Sequence, residues 1–398
     1  MKQKLLAILL VLGMVGALIP VFAVTSVAAN TSAGTVTDGT LPENAQVLTG
    51  TATAFSGGDG TAEAPYQIKD VTEFRYFQQQ ARNDATYLSK SYRLTGNIYF
   101  NGKLDYTDAA TGMPNDVKIP SANAYSQITG TFSGTFDGAN YGIYNTYARF
   151  ANAGALFATV TGTIKNLNLY GGYVYFGNST DSGSLVQLLS GGTISNCYSS
   201  VGIYTKASAT GGLVGRATGS PTIEDCTYAG AISAPNNGSN QVGGIVARVE
   251  SALTLSRCAN YAPISAQYSR IGGMVGFFIF KDSSVTITEC VNYGNLTSTS
   301  GKTDGGVGGM VGLNYTGSGN NGVVNYLRCA NYGDITASST VSATGMAGEA
   351  GNVTSYNSCA NYGNVTGKEA TAGIHRTAAG SGITITNCYS EGTFTTIS

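Results

Sequence analysis

The sequence predicts an all-β fold, a right-handed parallel β-helix of about 30 residues per coil with three short strands in each. Three observations carry this. Cysteine recurs at Cys197, Cys226, Cys258, Cys290, Cys329, Cys359 and Cys388, at intervals of 29 to 39 residues. Between cysteines a second signature returns: GGLVG from Gly211, GGIVA from Gly243, GGMVG from Gly272 and Gly308, TGMAG from Thr344 and AGIHR from Ala372. Aligned on cysteine, the residues three before (Ile194 to Ile385) and six after (Ile203 to Phe394) are apolar in every copy, and helical periodicity is absent. Such a period fits one solenoid coil better than a propeller blade, which needs four strands and about forty residues. Parallel strands joined by crossovers take the right-handed path.

The elements follow in chain order. Lys2 and Lys4 precede an apolar run from Leu5 to Ile19 and then small residues, the layout of a secretory signal peptide over residues 1–29, with Ala23 and Ala29 as candidate cleavage points. Residues 30–56, rich in Thr, Ala, Gly and Ser, read as a flexible linker. Residues 57–150 read as an N-terminal cap with the first coils. Asp70 and Glu73 form a capping box, and Val71, Phe74, Phe77 and Ala81 share one helical face, so a helix from Asp70 to about Ala85 is expected to cover the open apolar end of the solenoid. Residues 151–398 hold the repeats, eight clear coils in all, the faintest with Leu167 in the cysteine position. KDSS at 281 and NYTGSGNNG at 314 lengthen two coils as loops, and glycine four after cysteine (Gly230, Gly294, Gly333, Gly363, Gly392) is expected to supply positive φ at a turn. At the C-terminal end no cap is evident; the last strand is expected to be short and blunted by Glu391, with self-association or a partner at that coil as the alternative.

The cysteines form one expected inward ladder. In-register side chains keep their Cβ atoms near the strand spacing of about 4.8 Å, too far for a disulfide, so free thiols packing as small hydrophobes are expected. A straight column also cannot supply tetrahedral metal ligands.

The phrases GGLVG, NCYS at 196 and GTFDG at 134, preceded by GDGTAEAPYQI at 58 and YRLTGNIYFNG at 92, resemble the GLUG-repeat β-helices of bacterial secreted and surface proteins over residues 57–398. The tryptophan and proline usual before GTFDG are absent. The resemblance implies a right-handed β-helix with a surface or adhesive role rather than a defined chemistry.

Charge adds little: 21 basic against 22 acidic residues leave a net charge of −1, with no footprint for nucleic acid or an anionic membrane. The column just before cysteine alternates acid and base through Asp225, Arg257, Glu289 and Arg328. A catalytic reading would use Asp225, Glu289 and Arg257, but the alternation favours mutual pairing on the surface. His375 is the one histidine, in the last coil, and reads as a frayed repeat position. GGVGGM at 305 lacks the Lys-Ser/Thr of a phosphate loop. The binding candidates are Tyr261, Tyr293, Tyr332 and Tyr362, each preceded by an asparagine (Asn260, Asn292, Asn331, Asn361): an aromatic strip flanked by amides if they face outward, or tyrosines that stack on each other while the asparagine side chains bond the turn backbones. The sequence therefore points to an exported, non-enzymatic surface, adhesive or scaffold protein that is secreted or held at the cell surface. It requires no cofactor and no metal, with glycans or cell-surface proteins as partners. The alternatives are a polysaccharide lyase or glycoside hydrolase on the same fold, and a module that self-assembles through its C-terminal coil.

Overall fold

A computed structural model describes residues 39–397, apart from positions 106–107, 109–110, 116–124, 152–153, 178–179, 236–240, 268–269, 280–282, 300–304, 316–321, 339, 351–352 and 378–381. The expected signal peptide lies outside the described residues, as do parts of both loops. No helix among the described residues is long and apolar enough to cross a membrane.

The chain winds as a parallel β-helix of about nine turns on three sheets, of 11, 23 and 9 strands among the described residues. One coil shows the plan. Thr222–Glu224 lies in the first sheet; Thr227–Tyr228, Ile232–Ala234 and Gln241–Gly243 in the second; Val246–Val249 in the third. Equivalent residues pair one coil along, so Ile223, Leu255, Ile287, Tyr326 and Tyr356 stack in register, as do Val214, Val246, Val275, Val311 and Ala347. Period-2 alternation turns these columns inward, where each large aliphatic side chain contributes about 1.5–3 kcal/mol on burial. The turn beyond the expected eight is built by Ile128–Phe132, Thr135–Asp137 and Gly142–Phe150 around Phe136, in a stretch that carries no cysteine copy.

Two local expectations are corrected. Of the three strands the repeat suggests per coil, the one spanning the GGLVG signature is not a single strand: its glycines close one strand at Gly243 and turn the corner into the next at Val246. The glycines four after cysteine do not have positive φ. Instead they pack against the coil before, where a Cβ on Gly294 would lie 1.9 Å from the Ala262 carbonyl oxygen and one on Gly333 2.1 Å from that of Gly294. Positive φ falls on the residue before each cysteine, from Asn196 at 50° and Asp225 at 54° to Ser358 at 57° and Asn387 at 52°. That residue turns the corner out of the first sheet. Asn and Asp enter this region readily, whereas Arg257, Glu289 and Arg328 do so at a cost of about 1–2 kcal/mol.

All seven cysteines are free, six buried and Cys388 half-buried. Each thiol donates to the carbonyl two residues earlier, as Cys258 does to Ser256 at 3.3 Å. Burial pushes the thiols of Cys197 and Cys258 up, away from the reactive thiolate.

At the N-terminal end a helix spans Val71–Asn83, with Asp70 accepting from the backbone N–H of Thr72 (2.9 Å) and Glu73 (3.2 Å) and the Glu73 carboxylate accepting from Lys69 N–H at 3.0 Å. Asp84 then accepts from Thr86 N–H and starts a separate 3₁₀ turn over Ala85–Ser89, which is why the helix stops before Ala85. Phe74 and Phe77 set their rings 6.2 and 5.8 Å from Phe136 and so close the first coil. The described part of the expected linker is anchored: Arg75 donates to the carbonyls of Leu48 and Gly50, and Phe55 stacks on Tyr66 at 4.5 Å. At the other end Ile385, Tyr389 and Phe394 are exposed.

Candidate functional site

The two-residue strands Ala259–Asn260, Val291–Asn292, Ala330–Asn331 and Ala360–Asn361 follow the cysteine corner and pair coil to coil in register. Alternation sends the asparagine inward and the next residue, tyrosine, outward. The asparagines are therefore not flanking surface amides but a fully buried ladder. Asn260 Nδ2 donates to Asn292 Oδ1 at 2.8 Å, Asn292 to Asn331 at 2.7 Å and Asn331 to Asn361 at 2.7 Å. The same amides bond the carbonyls of Ala262, Gly294, Gly333 and Gly363 at 2.9–3.1 Å. Buried amides are stable only when so satisfied, which makes the ladder a register lock. Upstream Tyr228 and Ser199 fill this position. The second glycine of the GG signature makes the room: a Cβ on Gly273 would sit 2.4 Å from Asn292 Cγ, and one on Gly309 2.5 Å from Asn331 Cγ.

Tyr261, Tyr293, Tyr332 and Tyr362 face solvent, 38–45% exposed. Their rings stack at centroid separations of 4.7, 5.1 and 4.7 Å with interplanar angles of 9–12°. Partial burial, then the neighbouring phenols, raise the hydroxyls of Tyr261, Tyr332 and Tyr362 above their ordinary pKa, so they stay protonated donors. The polar column beside them is one that sequence reasoning missed: Asn295, Asp334 and Asn364, exposed two residues after Tyr293, Tyr332 and Tyr362, with Pro263 in that place after Tyr261. Asn295 Oδ1 accepts from Asp334 N–H (2.9 Å), and Asp334 Oδ1 accepts from Asn364 N–H (2.9 Å) and Nδ2 (3.0 Å). Its signal was available in the same alignment, five residues after cysteine.

The column before cysteine pairs within itself. Arg257 donates to Asp225 at 2.6 and 2.8 Å and to Glu224 at 3.0 Å, and Arg328 to Glu289 at 2.8 and 2.6 Å. The hydrogen bonds to Asp225 hold the Arg257 guanidinium firmly protonated. Asp225 and Glu289 are thus engaged by the arginines of the next coil, while the cysteines lie in the interior.

A second charged group also escaped the sequence reading. Arg216 and Arg248 are register neighbours in the third sheet and would repel, but Asp181 lies 3.4 Å from Arg216 and 3.2 Å from Arg248, and Glu250 lies 3.5 and 3.0 Å from them. Burial raises the Asp181 carboxyl despite both arginines. The arginines occupy equivalent places after the GG signature and were legible; Asp181 comes from a loop that only folding brings there.

His375 is half-buried in the third sheet, with Nδ1 3.1 Å from the hydroxyl of Tyr356 across the core. Burial lowers its pKa from the ordinary 6.5. The unfolded chain therefore binds the proton first as pH falls, and stability that is complete above pH 6.5 is lost below it, toward the folded pKa. Amide exchange of the last two coils is expected to quicken below pH 6.5 after correction for intrinsic rates, and His375→Phe to remove that dependence.

Among known proteins, no protein-family model and no curated sequence matches the chain. A solved structure from Bacteroides ovatus, described as a "putative immunoglobulin A1 protease", is similar at 20% identity and a TM-score of 0.51, covering 85% of this chain and 87% of that one. At that identity the likeness is one of fold.

Proposed function

We propose that the protein is an exported, non-enzymatic binding scaffold of GLUG-repeat type, whose tyrosine face engages a glycan or a protein at the cell surface. The observation that carries this is the row of four exposed tyrosines, held in register by a fully satisfied amide ladder beneath. A solenoid with a repeated aromatic rung is pre-organised for binding, because stacking of the rings on one another lowers the side-chain ordering that binding must supply. The pairing of Asp225, Arg257, Glu289 and Arg328 with one another also supports a non-catalytic reading.

The protein, incubated as residues 30–398 with insoluble polysaccharides, mucin and matrix proteins, is expected to be retained without releasing sugars or peptides. Tyr293→Ala with Tyr332→Ala is expected to weaken retention about tenfold or more while leaving the fold intact. A second, hydrolytic reading is favoured by Asp181, a buried carboxyl with a raised pKa, and by the description carried by the Bacteroides ovatus neighbour. Sugar or peptide release that Asp181→Asn abolishes would establish it.

A further inference from the structure

We propose that the ligand of the tyrosine face is a neutral, extended, equatorially linked polysaccharide lying parallel to the solenoid axis, recognised through the phenol hydroxyls rather than the ring faces. This rests on the reading of that face as a binding surface. The four rings lie nearly parallel at 4.7–5.1 Å, so each interior face is already covered by the next ring. A sugar ring stacking on an aromatic needs an open face, and none is available between the rungs. What the row offers outward is ring edges and four hydroxyls, which make no hydrogen bond among the described residues, repeated once per coil. Asn295, Asp334 and Asn364 run beside them at the same repeat.

A ligand that meets every rung must carry hydroxyls at that interval along a straight line. In an equatorially linked pyranose chain each residue advances by close to one coil, and each ring bears hydroxyls on both edges. The half-turn between successive residues therefore does not interrupt contact. Helical, axially linked glycans do not keep this interval.

Charge sets the remaining condition. The positions one to five after Cys258, Cys290, Cys329, Cys359 and Cys388 contain Asp334 and Glu391 but no lysine or arginine, so a polyanion has no counter-charge there. Length is set as well: the tyrosine position holds Ala229 one coil upstream and Glu391 one coil downstream, and the Tyr389 ring, 6.0 Å from Tyr362 but tilted by 53°, breaks the parallel stack there, leaving four in-register rungs.

The test is titration calorimetry of the full mature chain with linear β-1,4-linked glucose oligomers of two to six residues, beside axially linked and uronic-acid oligomers of equal length. Affinity is expected to climb severalfold per residue up to four residues and then level off, with both comparison series at least about tenfold weaker. Tyr293→Phe and Tyr332→Phe, which keep the rings and remove the hydroxyls, are expected to lose about as much as the alanine variants. Affinity independent of length, uronic-acid oligomers binding equally well, or phenylalanine variants binding like wild type would each overturn the proposal while leaving the tyrosine face as the site. Failure of all oligomers, with tyrosine-dependent retention of a matrix protein, would overturn it in favour of a protein partner. If alanine at Tyr293 and Tyr332 changes no retention at all, both this proposal and the binding face fail together.

Discussion

Asn331→Leu is expected to cost about 4 kcal/mol, although leucine is close in size and more apolar. Asn331 is a middle rung: it accepts from Asn292 and donates to Asn361 and to the Gly333 carbonyl. Removing its amide strands one donor and two acceptors that are shut away from water, at about 1–3 kcal/mol each before relaxation. Asn361→Leu is the internal comparison. Its own donors go to Gly363 and, at 3.4 Å, to Ser390, so it stands near the end of the ladder and is expected to cost about half as much. Thermal melts together with amide exchange of coils 258–365 would measure both. Equal effects for the two variants would mean that the asparagines act singly and not as a ladder.

Gly309→Ala is expected to be nearly as damaging, at about 3 kcal/mol. A Cβ there would lie 2.1 Å from the carbonyl oxygen of Gly345 and 2.5 Å from Asn331 Cγ. The first contact is with backbone, which cannot swing aside, so neighbouring coils must separate. Because each coil touches its neighbours alone, the loss is expected to be local, with protection vanishing around residues 308–361 and surviving near Phe136. Gly102→Ala, where the new atom meets nothing within 4 Å, is the neutral control. A melting temperature for Gly309→Ala equal to that control would show that the coils can separate at no cost.

Much of the architecture was readable from spacing. The cysteine interval, the GG signature and the two apolar columns specify a β-helix because a solenoid repeats the same burial problem once per coil, and the same residues solve it each time. The helix at Val71–Asn83 was legible for a different reason: its cap and apolar face are local in sequence. The tyrosines were found by the same alignment and do face outward.

Other features were not readable, and each depends on where a residue points. Asn260, Asn292, Asn331 and Asn361 are polar and adjacent to exposed tyrosines; the sequence allows their bonds to the turn backbone as one of two readings, but it does not foretell a coil-to-coil ladder in the interior. Their burial follows from strict alternation through a two-residue strand, and it is tolerated because each amide finds its partner one coil away. The glycines after cysteine looked like turn residues, yet the left-handed corner fell to Asn196, Asp225, Arg257 and their equivalents. Glycine at positions such as 294 and 333 is required by the approach of the neighbouring coil, a distance that sequence does not record.

The sequence by itself determined the period, the coil, the cysteine ladder and the capping helix, because these follow from local pattern, repeated or contiguous. The tertiary structure alone decided which polar column is inside, which residue bends the corner, and that Asp181 meets Arg216 and Arg248. Those outcomes arise between residues about 30 to 70 positions apart, where coil stacking, and not neighbouring sequence, sets the distance.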